Sequence, residues 1–199
     1  SLGNVDAQAW NGSSWGAATT LGGKPDGGDG YSAQHFFDVE YENVSGDALA
    51  VFGSSRYGDP VYRTWNGVSW SASTTIVTPT NSPYWVELSS APASDEIAMI
   101  ILDYAVDVYG MRWTGSAWDN MGDAATWDTT GSSVYAKGID VAYERTSGDI
   151  MFLWGDSTST EFAFISARKR EMQYLIDDMA RSDEHALASD GRGVLALVD

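Results

Sequence analysis

The sequence predicts an all-β chain folded as a four-bladed β-propeller, with one blade split between the N- and C-termini. Three observations predict it. A Trp-turn-Trp unit occurs three times, as Trp10-Asn11-Gly12-Ser13-Ser14-Trp15, Trp65-Asn66-Gly67-Val68-Ser69-Trp70 and Trp113-Thr114-Gly115-Ser116-Ala117-Trp118. A second unit, Phe37-Asp38-Val39-Glu40-Tyr41-Glu42 running to Ser45-Gly46-Asp47, returns as Ile139-Asp140-Val141-Ala142-Tyr143-Glu144 running to Ser147-Gly148-Asp149. Finally, Val194–Asp199 parallels Ala98–Asp103, and continuing from Asp199 to Ser1 keeps the repeat in register as far as Trp10.

The first Trp of each unit stands at 10, 65 and 113, spacings of 55 and 48. Propeller blades are four-stranded sheets of roughly 40–50 residues, so 199 residues hold four. The expected blades, within a single domain 1–199, are 185–199 plus 1–20, 31–75, 83–123 and 134–178. Closing a ring with strands from both termini removes two free sheet edges.

Each element has its own signal. Val5, Ala7 and Ala9 alternate with polar residues before Trp10, and Val194, Leu195, Leu197 and Val198 form the apolar strand expected to close the same blade. Asn-Gly at 11–12 and 66–67 signals a two-residue type I′ hairpin turn, which needs positive φ at both positions. Such a turn puts Trp10 and Trp15 on one sheet face, as would a four-residue turn. In Asp38–Glu42 and Asp140–Glu144 the period is two, with Val39 and Tyr41 on one face and acids on the other. Ser-Gly-Asp at 45–47 and 147–149 turns the chain into the apolar strands 48–53 and 150–155. Residues 161–199 depart from the template: they contain no Trp and carry five of the 11 basic residues. The repeat frame expects a hairpin turning at Arg168–Arg170, whereas Met172, Leu175, Ile176 and Met179 have helical spacing.

These motifs carry two resemblances. Most of residues 1–160 resembles the tandem Trp-Asn-Gly-x-Ser-Trp and Tyr-Glu-x-x-Ser-Gly-Asp repeats of large secreted bacterial surface proteins, which implies a β-propeller-like architecture and an extracellular or cell-surface location on a microbe. The stretch from Phe164-Ile165-Ser166-Ala167-Arg168 through Ser189-Asp190-Gly191-Arg192 resembles TolB-like propeller repeats, without the Pro of their Ser-Pro-Asp-Gly turn. The sequence opens at Ser1 with no initiator Met, basic n-region or apolar h-region, which leads to the expectation of a processed mature protein or an excised domain.

Composition narrows the function. The formal net charge is −17, with 28 acidic against 11 basic residues, a field that repels nucleic acid and anionic membranes. No apolar run reaches the ~18–20 residues of a membrane-spanning helix. The absence of cysteine excludes disulfides, thiolate metal sites and cysteine nucleophiles. The two histidines, His35 and His185, stand in no nucleophile-elbow pattern. Acids repeated in both copies, such as Asp38/Asp140 and Glu42/Glu144, suit a role in the fold better than a catalytic pair, which breaks repeat symmetry. No cofactor is expected. If an ion binds, Ca²⁺ suits the oxygen-rich Asp26-Gly27-Gly28-Asp29 segment, with Asp103/Asp107 and Asp119/Asp123 behind it, although Asp and Gly are ordinary turn formers.

The first functional reading is a non-catalytic extracellular surface or structural module, a filament subunit that self-associates through its terminal β-strands. The alternative is a carbohydrate-binding, lectin-like propeller module with a glycan partner, and a second alternative is a glycoside hydrolase. Sugar platforms would come from Trp127, which lies outside the repeat pattern, and from Trp15, Trp70 and Trp118.

Overall fold

A computed structural model describes residues 4–23, 35–54, 58–76, 82–121, 127, 129, 137–155 and 160–165. Every regular element among them is a β-strand. Among the described residues no helix is long and apolar enough to cross a membrane.

The strands form four antiparallel sheets in chain order. The first pairs β1 (Asn4–Ala7) with β2 (Thr19–Gly23). The second is β3 (Phe37–Tyr41), β4 (Ala48–Gly53), β5 (Pro60–Trp65) and β6 (Thr74–Thr75), and the third is β7 (Pro83–Ser90), β8 (Ile97–Asp103), β9 (Val108–Trp113) and β10 (Trp118–Asp119). Both are plain meanders, each strand bonded to its neighbour in sequence. The fourth sheet is β11 (Ile139–Tyr143), β12 (Ile150–Gly155) and β13 (Thr160–Ile165).

The sheets stack in sequence order, and the composition of each second strand shows why. Strand β8 is buried along its whole length. Its alternate residues point opposite ways: Ile97, Met99 and Ile101 meet Leu49 and Val51 of β4, whereas Ala98, Ile100 and Leu102 meet Ile139, Val141 and Phe152 of the fourth sheet. A strand covered on both faces reads as an unbroken apolar run, which accounts for the sequence of 97–102. Each large side chain so buried contributes about 1.5–3 kcal/mol. Strand β4 is used the same way, with Ala50 and Phe52 turned back onto Val5 and Leu21 of the first sheet. Gly22 is required by this contact, because a Cβ there would stand 2.5 Å from the Phe52 ring.

The Asn-Gly segments differ from expectation. Trp10 faces Trp15 and Trp65 faces Trp70 as cross-strand pairs, so the intervening loops have four residues rather than two. Only the glycines have positive φ, +96° at Gly12 and +84° at Gly67, so the pair of positive values required by type I′ is missing. The asparagine instead builds a side-chain turn. Oδ1 of Asn11 accepts the backbone N–H of Ser13 and Ser14, and that of Asn66 accepts those of Val68 and Ser69. This arrangement competes successfully with the tighter hairpin.

The second type of turn locks neighbouring sheets together. Gly46 and Gly148 take φ of +76° and +72°, each N–H bonding back to the carbonyl of Glu42 or Glu144. In the second sheet this turn grips the β7–β8 turn: Asn43 donates to the Ala91 carbonyl at 2.6 Å, and Asp95 accepts the N–H of Val44 and Ser45.

Candidate functional site

Aromatic pairs repeat in all three Trp units with nearly constant geometry, ring centroids 5.5, 5.5 and 5.6 Å apart. Their surroundings do not repeat. Trp10 and Trp15 lie 52% and 63% exposed, Trp65 and Trp70 are half-buried, and Trp113 is buried with Trp118 half-buried beside it. The difference comes from the preceding sheet. Tyr62 of β5 reaches across to Trp113 and Trp118, 5.3 and 5.9 Å between centroids. The Trp units align Tyr62 with Ala7 of β1 and Gly110 of β9, three residues before the first Trp in each case. Of these three sheets, only the second has an aromatic ring at that position.

A cleft of about 460 Å³ opens where Tyr62 meets the third sheet. It is lined by Tyr62, Thr75, Met111, Trp118, Asp119 and Asn120. Its size falls within the roughly 300–1,000 Å³ of small-molecule sites. Two aromatic rings and a methionine give an apolar wall, while a hydroxyl, an amide and a carboxylate add polar groups. Asp119 is held in place: its Oδ2 accepts from Arg112 Nη2 at 2.6 Å and its Oδ1 from the Met121 N–H at 2.8 Å. The Arg112 guanidinium, 3% exposed, is also bound to Glu96 at 2.9 Å. Trp118 Nε1 is buried with no hydrogen-bond partner among the described residues.

The other sequence-derived candidates are dispersed. Trp127 does not stand free as a platform. It fills the space above Gly110, where a Cβ would come within 2.2 Å of its ring, and packs on Phe152 and Trp154 at 4.8 and 5.7 Å. It thus bridges the third and fourth sheets as Tyr62 bridges the second and third. Trp70 packs against the cluster containing Val5 and Leu21. Val5 is buried and Ala7 half-buried within β1, and the Ala9 carbonyl accepts the Gly16 N–H at 2.8 Å. Asp26, Asp29, Val194, Leu195, Leu197 and Val198, together with the stretch 168–180, lie outside the described residues.

The repeated acids diverge in role. Glu42 is buried and accepts the Trp113 indole N–H at 2.6 Å and the Ser45 hydroxyl at 2.5 Å. Glu144 is exposed and accepts the N–H groups of Ser147 and Thr146 within its own turn, bonds that hold its carboxyl below the usual range. Asp38 accepts the Leu88 N–H at 2.8 Å across the sheet interface, and burial pushes its carboxyl up, against the pull of that bond. Asp103, one of the Ca²⁺ candidates, spends Oδ1 on the N–H groups of Ala105 and Asp107 as a turn former. Among the described residues no group of three or more His, Asp or Glu could hold a metal ion.

Tyr62, Thr75 and Asn120 belong to no motif, and nothing in the sequence points to them directly. The one usable signal is the size of Tyr62 beside the small residues, Ala7 and Gly110, at the same position of neighbouring units.

No known protein family matches the chain, and no curated protein does. Similar solved structures include AofleA from Arthrobotrys oligospora, 13% identical over 82% of this chain, with a TM-score of 0.49. They also include two structures of the Aleuria aurantia lectin, each 12% identical with a TM-score of 0.49: a mutant in complex with α-methyl-L-fucoside, and one described as a six-bladed β-propeller with a novel fucose recognition mode. These cover 83% and 84% of this chain. The chain spans about half the length of these structures: 47%, 54% and 55%.

Proposed function

We propose that the four sheets are successive blades of a β-propeller, and that the chain is a non-catalytic carbohydrate-binding module that takes a neutral sugar in the cleft between the second and third sheets. The cleft itself carries this reading: two aromatic rings beside a hydroxyl, an amide and a fixed carboxylate, in a volume suited to one or two sugar rings. A sugar has an apolar face of C–H groups and an equator of hydroxyls. The face covers Trp118 and Tyr62, removing apolar surface from water. The hydroxyls meet Thr75, Asn120 and Asp119. Neutrality follows from charge. A carboxylate lines the cleft, no cationic side chain does so among the described residues, and the net charge of −17 repels anionic ligands.

Calorimetric titration with a panel of neutral and acidic mono- and oligosaccharides tests this. Saturable binding of a neutral glycan is expected, weakened at least tenfold by Trp118→Ala and measurably by the milder, exposed Thr75→Val. Failure of the panel to bind at millimolar concentration overturns the reading. So does binding lost on Trp15→Ala but retained in both cleft variants, which would move the site to the exposed pair.

A second reading, self-association through sheet edges, is favoured by one observation: among the described residues, β1 is hydrogen-bonded only to β2. Light scattering across a hundredfold concentration range tests it, with growth in mass expected if the edges pair between molecules.

A further inference from the structure

The first and second sheets meet through the same repeat positions as the second and third. The Trp units put Trp70 at the position of Trp118, and Leu21, six residues after Trp15, matches Ile76, six residues after Trp70. Both serve their interface alike: Trp70 packs on the cluster of Val5, Leu21 and Val61, as Trp118 packs on that of Ile76 and Tyr109. The remaining cleft positions differ. Ala7 replaces Tyr62, Ser71 replaces Asp119, Ala72 replaces Asn120 and Arg63 replaces Met111. Three of these residues are smaller than their counterparts, and Ser71 and Ala72 are exposed.

The charge is reversed. Asp119 is the one charged side chain lining the cleft between the second and third sheets, and Arg63 is the one charged side chain at the matching positions. Arg63 lies opposite Ala50 in the β4–β5 ladder, so its side chain rises on the face that turns Ala50, Phe52 and Val61 onto Val5 and Leu21 of the first sheet. Arg112 is bound to Glu96 at 2.9 Å and to Asp119 at 2.6 Å. Arg63 is half-buried and pairs with no carboxylate among the described residues, nor does its buried Nε have a hydrogen-bond partner among them. Ser71 adds no charge: its hydroxyl accepts the Thr64 N–H at 2.9 Å and donates to the Ala72 carbonyl at 3.0 Å. Asp6 alternates with Val5 and Ala7, so it stands on the other face of β1, where it accepts the Thr20 hydroxyl at 2.6 Å.

We infer that the interface of the first and second sheets holds a second ligand site, centred on Arg63 and Trp70, for a saccharide that carries a carboxylate, such as a hexuronic acid. The inference rests on the carbohydrate reading of the neighbouring cleft and inverts its charge preference. A guanidinium presents parallel N–H donors in a planar fork that matches the two oxygens of a carboxylate. The C–H face of the sugar ring covers Trp70, and Ala7 and Ala72 leave room where Tyr62 and Asn120 stand at the next interface. The net charge of −17 does not prevent this pairing, because physiological salt screens exposed charges beyond about 8 Å while a contact pair is much less affected.

Calorimetric titration of the full chain with an oligogalacturonate and with its methyl ester, which lacks the charge, tests the site. The acid is expected to bind, and the ester to bind at least about tenfold more weakly. Arg63→Met, which installs the residue found at the matching position of the third sheet, should remove that difference, and Arg63→Lys should keep part of it. Equal binding of acid and ester overturns the inference. So does failure of the acid to bind at millimolar concentration, or a preference for the acid that survives Arg63→Met. In case Arg63→Met fails to fold, phenylglyoxal modification of Arg63 in the parent chain is followed by peptide mass spectrometry. The acid should slow that reaction and the ester should not; an unchanged rate refutes the assignment. Trp118→Ala separates the two sites: acid binding should survive it, and its loss there would place the acid in the other cleft and overturn the inference. Arg63-dependent binding of the acid with no neutral glycan bound would sustain this site while refuting the neutral one.

Discussion

Glu42 offers the sharpest test of how the sheets are joined. Its carboxylate is buried and bridges the second sheet to the Trp113 indole N–H of the third at 2.6 Å, while its other oxygen holds Ser45. A hydrogen bond to a charged group contributes about 1.5–3 kcal/mol, and a buried donor left unpaired costs about 1–3 kcal/mol. Truncation also relieves the desolvation of the carboxylate, so these contributions do not simply add. Glu42→Ala should therefore destabilise by roughly 2–4 kcal/mol. Glu42→Gln keeps an acceptor for Trp113 and should cost only about 1 kcal/mol. For a chain of this length each kcal/mol corresponds to about 2–4 °C in Tm, so the alanine variant should melt roughly 4–16 °C lower. Urea denaturation followed by tryptophan fluorescence gives the free energies directly. Glu144→Ala supplies the internal comparison: it occupies the same repeat position but is exposed and bonds within its own turn, so its effect should be the smaller of the two. The reasoning fails if Glu42→Ala lies within ~0.5 kcal/mol of the parent, the scale of an ordinary surface change, or if glutamine is as damaging as alanine.

Two further outcomes follow from packing and charge. Gly110→Ala places a methyl group 2.2 Å from the Trp127 ring and should destabilise by about 1–3 kcal/mol, with a shift in tryptophan emission; an unchanged midpoint would show that Trp127 is not seated there. Asp38 has its carboxyl raised above 3.8 by burial, so the unfolded chain releases its proton at a lower pH than the folded form does. Its contribution to stability therefore falls as pH rises from about 3.8 through the raised value and is constant above it. The stability difference between Asp38→Asn and the parent should move in the variant's favour across that window and then level off. Urea midpoints between roughly pH 3 and 8 measure this, and a difference that stays flat or moves the other way contradicts the sign.

The all-β class, the apolar second strands and the repeat near 50 residues are legible in the amino-acid order alone, because period-two patterning and Gly-centred turns are local properties. The Trp units show where that legibility stops. Cross-strand pairing of Trp10 with Trp15 can be read off, since a two- or four-residue turn puts both rings on one face. The loop length cannot, because Asn11 has two competing uses, a tight hairpin or a side-chain turn, and both are available to the same residues. What the repeated residues do is settled by packing between sheets. Glu42 and Glu144 share a position in the repeat, yet one is buried on an indole and the other exposed in its own turn, because their neighbouring sheets differ. Tyr62, Ala7 and Gly110 share another, and their different sizes leave a cleft at one interface and space for Trp127 at the next. A repeat specifies the sheet; the contact between sheets depends on two distant segments at once, and no local pattern records it.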